Sequence, residues 1–341
     1  MKIAIITDYL GRLGSKQKSK RYRQGMDIAL IEKLLMNRNI QVHFYSFHTC
    51  LKLLKEKEIH YILYNSSEDP GEHYKSFIED QIRSLSLSHH TCIPNELFLR
   101  AHNNKVFMEM LRIHYQFKDS ALFASQFAAT IAEFSKLNLN YPIIMKGASG
   151  ALSRNVQLIQ NKKEGIRTFN KMVPKVALTH RVKELIRRIR HGNNYSHEAI
   201  RRGKVVLQNY IPNILFDWKV LIYYDIVYVL KRNNRPNDFR ASGSGLFSYE
   251  ENISHEILDL AWETRKKLNV PHLSLDIAMT KTQPIIFEFQ VLGFGTKTME
   301  FAPFYFKKVG EKWSLNRDKK ELEEVYVTSL VSYLKNTINA S

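Results

Sequence analysis

Apolar positions along this chain fall into rhythms that change every ten to fifteen residues. Residues 2–7, KIAIIT, form an unbroken β-rich run ended by Asp8 and Gly11. Between Met26 and Met36 the apolar residues Ile28, Leu30, Ile31, Leu34 and Leu35 follow helical spacing. Gln41 to Phe47 alternates, with Val42 and Phe44 set against His43 and Tyr45, and reads as a strand. A helix at Leu51–Lys57 and a strand at His60–Tyr64 continue the succession. Strand and helix in turn predict a parallel open sheet, and we bound a small α/β domain at residues 1–98.

The pattern then changes. Helical spacing runs from Asn103 through Val106, Met108, Leu111 and Ile113, and again over 120–136. Tyr141–Lys146 and Asn155–Ile159 read as two strands of a hairpin around a Gly/Ser-rich turn. Residues 172–202 predict helices with a basic face: Arg181, Lys183, Arg187, Arg188 and Arg190. Strand 204–210 follows, then hairpins at Asp217–Arg232 and Leu273–Gln290, a helix at Ser254–Leu268 and a last helix at Lys319–Lys335.

Composition narrows the class. Of the 341 residues, 44% are hydrophobic and 25% charged, enough to build cores and to argue against disorder. The apolar runs are too short to span a bilayer, and the one beginning at residue 3 is too short for a secretory signal. Two cysteines, Cys50 and Cys92, lack metal-type spacing and suit a reducing, cytoplasmic setting. The net charge of +18 favours anionic partners, among them nucleotide phosphates, acidic polysaccharide, acidic lipid or nucleic acid, although solubility alone accounts for it equally well.

Four stretches carry candidate chemistry. Lys146 ends a strand and is followed by Gly147-Ala-Ser-Gly-Ala-Leu-Ser153, where small residues let backbone N–H groups approach an anion. In LSLDIAMTKTQPIIFEFQ a turn near Thr282 sets Asp276 opposite Glu288, with Gln290 on the same face. Opposed carboxylates in a core-type setting repel unless a cation joins them; oxygen-only donors suit magnesium, and the alternative is pairing with a Lys or Arg. In the hairpin before it, a turn centred on Asp225 sets Lys219 opposite Lys231, a repulsive pair that an anion would relieve and that snorkelling to water would also relieve. Arg240, ahead of Ala-Ser-Gly-Ser-Gly245, fits phosphate or carboxylate recognition, or a plain turn.

In this order the pieces resemble the ATP-grasp superfamily, in particular its glutathione synthetase and ribosomal-protein glutamate ligase branch. The resemblance covers roughly residues 95–305. It implies an α/β fold with an N-terminal open parallel-sheet domain (1–98), a small central lid domain (99–210, with a phosphate loop at 146–155) and a C-terminal antiparallel-sheet domain (211–341). It implies ATP and Mg2+ or Mn2+ as cofactors. Lys105, Lys146, Ser149, Gly150, Ser153, Lys219 and Lys231 would contact phosphates, while Gln208, Tyr210 and Ile211 would hold adenine. Asp276, Glu288 and Gln290 would bind the metal, with Gln290 standing where the family usually has Asn. Lys219 and Arg240 would assist catalysis. The implied activity is an ATP-dependent carboxylate–amine ligase acting through an acyl phosphate on a small acid and an amine. An acidic polysaccharide or peptide is a candidate acceptor, facing the basic segments 15–24 and 181–202. The alternatives are an ATP-grasp kinase of a phosphorylated small molecule and a catalytically degenerate binding module. Nucleic acid is a disfavoured partner, and homo-oligomerisation is left open.

Overall fold

The computed structural model describes residues 1–19, 24–119, 124–150, 155–236, 238–241 and 243–340. By contacts the chain divides into two units, Met1–His102 with Ile214–Ser341, and Asn103–Asn213.

The first unit begins with β1 (Lys2–Thr7), α1 (Ile28–Met36), β2 (Gln41–Ser46), β3 (Ile59–Leu63), α2 (His73–Ser86), β4 (Thr91–Ile93) and α3 (Glu96–Ala101). The strands form a parallel sheet in the order β2-β1-β3-β4. β1 is its centre because Ile3, Ala4, Ile5 and Ile6 are buried on both faces, as a central parallel strand requires. Asp27 caps α1 by accepting from Leu30 N at 3.1 Å, and Ile31 and Leu35 turn inward. The helix expected at Leu51–Lys57 is instead a 3-10 turn over Cys50–Lys55.

The second unit holds α4 (Lys105–His114), β5 (Ser125–Ala128), α5 (Ile131–Lys136), β6 (Ile143–Gly147), β7 (Val156–Ile159), α6 (Lys162–Met172), α7 (Leu178–His191) and β8 (Val205–Asn209). Here the helical reading of 120–136 needs correction. Residues 125–128 are a strand paired antiparallel with β8, and the helix starts only at Ile131, behind a capping box of Thr130 and Glu133. The sheet runs β5-β8-β6-β7. One face packs Met145, Val205 and Leu207 against Phe134 and Phe169 from α5 and α6. Gly165 permits this approach, since a Cβ there would lie 2.6 Å from the Phe134 ring.

The chain returns to the first unit with β9 (Phe216–Tyr223), β10 (Ile226–Asn233), β11 (Phe247–Ser248), α8 (His255–Leu268), β12 (His272–Met279), β13 (Pro284–Gln290), α9 (Lys297–Glu300), β14 (Tyr305–Val309), β15 (Lys312–Asn316) and α10 (Leu322–Ala340). These strands form an antiparallel sheet ordered β13-β12-β9-β10-β14-β15, with β11 on β10. Leu221, Tyr223, Ile226 and Tyr228 share one core with Ile3 and Ile5 of β1, Leu35 of α1 and Val327, Leu330 and Leu334 of α10.

Candidate functional site

On β9, the residues after the core-forming Tyr223 and Leu221, read backwards, are Lys219 and Asp217. Alternation keeps all four on one face, so a single strand passes from core to charge within eight residues. The register extends the charged stripe sideways. Asp217 lies opposite Arg232 on β10, Lys219 opposite Asp276 on β12, and Asp276 opposite Glu288 on β13. The expected pairing of Asp276 with Glu288 is therefore present, with Gln290 two residues along on the same strand.

Two cations of the chain itself meet these acids. Lys219 Nζ donates to Asp276 Oδ1 at 2.9 Å, and Arg232 Nη2 lies 2.9 Å from Asp276 Oδ2. Arg232 also forks onto Asp217, at 2.6 and 2.8 Å. Gln290 Nε2 donates to Glu288 Oε1 at 3.2 Å. One guanidinium thus serves two carboxylates, and they titrate in opposite directions. Burial pushes Asp217 up, to about 6, against the pull of Arg232. Burial acts on Asp276 in the same direction, but Arg232 and Lys219 together hold it well below the usual carboxylate range. The stripe carries three acids (Asp217, Asp276, Glu288) and two bases (Lys219, Arg232), one net negative charge. Glu288, Gln290 and Asp276 offer only oxygen donors from adjacent register positions, a set that fits a hard divalent cation.

Arg232 was not among the residues singled out from sequence, and the reason is the turn. The hairpin closes on two residues, Tyr224 and Asp225, with Tyr224 at φ 61°, so that Leu230, not Lys231, faces Lys219. The expected opposition of Lys219 and Lys231 is therefore wrong: the two lie on opposite faces. Lys231 pairs with Glu250 at 2.8 Å and sits 4.3 Å above the Phe216 ring. The opposite charges at the hairpin's two ends, Asp217 and Arg232, were the signal that could have set the register. Arg240 folds onto its own loop, with Nε and Nη2 2.9 and 3.0 Å from Asp238, whose carboxyl is held low by that contact.

The second unit gathers another set. Lys105 opens α4, capped by Asn104. Its N–H donates to Ala148 O at 2.8 Å and its Nζ to Gly150 O at 3.1 Å. Asn103 Oδ1 accepts from Gly150 N at 3.1 Å, so the helix start and the turn after β6 are tied together. Gly150 takes φ 118°, a conformation open to glycine. Lys146 is opposite Val206, and Gln208 opposite Ile144, so Lys146 and Gln208 share the sheet face turned away from α5 and α6. Ser149 is exposed; Tyr210 and Ile211 follow β8 and are half-buried. Ser153 lies outside the described residues.

Gln208 is buried and belongs to a chain of polar contacts. Its Nε2 donates to Ser125 Oγ, which donates to Glu109 Oε2, each at 2.9 Å. Arg112 then bridges Glu109 and Asp119 at 3.0 Å. At the other end Gln208 Oε1 is buried without a donor among the described residues. A buried acceptor left in that state costs about 1–3 kcal/mol, so a ligand amine there would recover it.

Within the basic segment 15–24, Lys16 is not available to an acceptor. Burial works against its charge, but Glu323, at 2.8 Å, keeps it protonated. Residues 20–23 lie outside the described residues.

A parallel sheet, an antiparallel sheet bearing acids and bases, and a four-stranded unit with a lysine-tipped hairpin make up the ATP-grasp fold. The chain is similar in fold to D-cycloserine synthetase DcsG, with a TM-score of 0.55 and 9% identity over 98% of this chain and 100% of that one. It is also similar to the D-alanine–D-alanine ligase of Bacillus anthracis complexed with ATP, with a TM-score of 0.51 and 12% identity over the full length of both. No family model matches the sequence. No curated protein matches it either.

Proposed function

We propose that the protein is an ATP- and magnesium-dependent ligase that joins a carboxylate to an amine. The observation that carries this is the charged stripe, where Asp276, Glu288 and Gln290 lie beside Lys219 and Arg232 on one sheet face. The fold adds support, since the Bacillus anthracis enzyme that shares it is a ligase crystallised with ATP.

In this reading Asp276, Glu288 and Gln290 hold magnesium, whose charge offsets that of the nucleotide phosphates. Lys219 and Arg232 keep Asp276 ionised, so that it remains an anionic ligand at neutral pH. In the other unit, Lys105, Lys146 and the turn at Ser149 and Gly150 are assigned to phosphate, and so, from its place in the sequence, is Ser153. Gln208 is assigned to the adenine amine, because its orphaned Oε1 needs a donor; Tyr210 and Ile211 follow it in sequence and are assigned to the same base. Lys231, held by Glu250 across the sheet, is left a supporting role only. The γ-phosphoryl group passes to the substrate carboxylate and ADP leaves. The amine then attacks the acyl carbon and phosphate leaves, with Arg240 stabilising charge on the transferring group or acyl oxygen.

The test is an ATP- and magnesium-dependent hydroxamate assay, with hydroxylamine as the amine and a pool of amino and dicarboxylic acids. Hydroxamate should form and should fall at least about a hundredfold in Glu288→Ala. A stable phosphorylated product without hydroxamate would make the protein a kinase. Failure to bind ATP in calorimetry would make it a binding module.

A further inference from the structure

The helix α7 is inside out. Its apolar residues Leu178, Val182, Leu185, Ile186 and Ile189 are spaced at i, i+4, i+7, i+8 and i+11, one stripe about 100° wide. Such a stripe ordinarily faces a core. Here all five side chains are exposed, Ile189 at 76% and Leu178 at 69%, and no residue of the helix is buried. The polar side turns inward instead. Glu184, the sole acid of the helix, is 15% exposed and accepts from Tyr195 Oη at 2.6 Å and Arg187 Nη1 at 2.8 Å. His180 lies with it, 3.4 Å from Glu198, which Arg202 also pairs. The acids of this cluster already have cationic partners, so it reads as the helix's anchor and not as a metal centre.

The charges fix what covers the stripe. At about 100° per residue, Arg181 and Arg188 line one edge of it, and Lys183 and Arg190 the other. All four are exposed. An apolar ridge edged on both sides by cations, with its acid on the far side, is the geometry of a helix lying in the plane of a bilayer interface, its basic stems reaching phosphate. Two copies of the ridge packed together would oppose basic edge to basic edge, which disfavours self-association. No helix among the described residues is long and apolar enough to cross a membrane, so the contact would be peripheral.

We propose that α7 docks the protein on an anionic phospholipid surface, with its apolar stripe seated among the acyl chains and its basic edges on headgroup phosphates. Independent of ATP chemistry, the proposal is tested with the full chain on vesicles. It should co-sediment with phosphatidylglycerol/phosphatidylcholine vesicles and not with pure phosphatidylcholine. Binding should weaken as salt rises. Leu185→Glu/Ile189→Glu should lower the bound fraction at least about tenfold while keeping the wild-type melting temperature, because both side chains are exposed. An Ile189→Trp reporter should shift its emission to the blue on the anionic vesicles. Undiminished sedimentation of the double variant, an unshifted reporter, or a dimer in sedimentation velocity that the double variant abolishes would overturn it. A drop in the double variant's melting temperature would do so too, by showing that the stripe is already packed within the protein.

Discussion

The charged stripe on β9, β10, β12 and β13 and the polar chain running from Gln208 to Asp119 are both buried, but they solve burial differently. In the stripe Asp217, Asp276, Lys219 and Arg232 satisfy one another, and both oxygens of Asp276 are engaged. In the Gln208 chain each contact passes its demand along, and acceptors remain at Gln208 Oε1 and Glu109 Oε1 with no donor among the described residues. The first arrangement holds its own four charges in place and presents a fixed electrostatic pattern to Glu288 and Gln290 beside it. The second has hydrogen-bonding capacity to spend. Buried atoms that lack a partner therefore mark where a ligand's hydrogen bonds would be met, and a fixed set of charges marks where its charge would be met.

The largest effect expected is from the stripe's shared cation. Arg232→Met leaves Asp217 and Asp276 buried with Lys219 alone, and should cost about 3–5 kcal/mol in urea unfolding. A loss under about 1 kcal/mol would show that the stripe is not self-satisfied. The next is set by pH. His272 is buried, stacked on Tyr326 with 4.4 Å between ring centroids, and its pKa is pushed down to about 4 by burial. A histidine with a depressed native pKa gives stability that is fully present above its unfolded value and lost as pH falls from about 6.5 to 4. That window is worth about 3 kcal/mol. His272→Phe should flatten the stability profile there, extending the comparison to a partnered group that fails only on taking a proton. Smaller again, Gln208→Leu should weaken nucleotide binding about tenfold in calorimetry, with stability changed by no more than about 1 kcal/mol. Unchanged affinity would remove the distinction drawn between the two regions. Smallest is Lys231→Met, where a half-exposed pair with Glu250 is worth under about 1 kcal/mol; a large loss of activity would assign this lysine more than a supporting role.

Much of this was legible in the residues, for reasons that differ by place. β1 could be read because a central parallel strand is apolar on both faces. The pairing of Asp276 with Glu288 could be read because it is symmetric about Thr282, even though the ladder shifts register between Asp276 and Ile277. The hairpin before it could not, since one residue of turn length moves every facing pair. The strand at 125–128 was hidden by its length: four residues are too few to show alternation against an Ala- and Phe-rich surround. On α7 the basic residues were conspicuous, but the apolar stripe reads as core until its exposure is known.

The fork of Arg232 between Asp217 and Asp276 has a further effect on how the strands find their places. If the β9–β10 turn took one residue more, Lys219 would face Lys231 and Arg232 would point to the other side of the sheet. Asp217 would then be buried without its guanidinium, and two ammonium groups would crowd one another. Charge placement therefore penalises the neighbouring alignment as well as rewarding the observed one, so an arginine beside the candidate chemistry also acts as the pin that keeps this sheet from slipping.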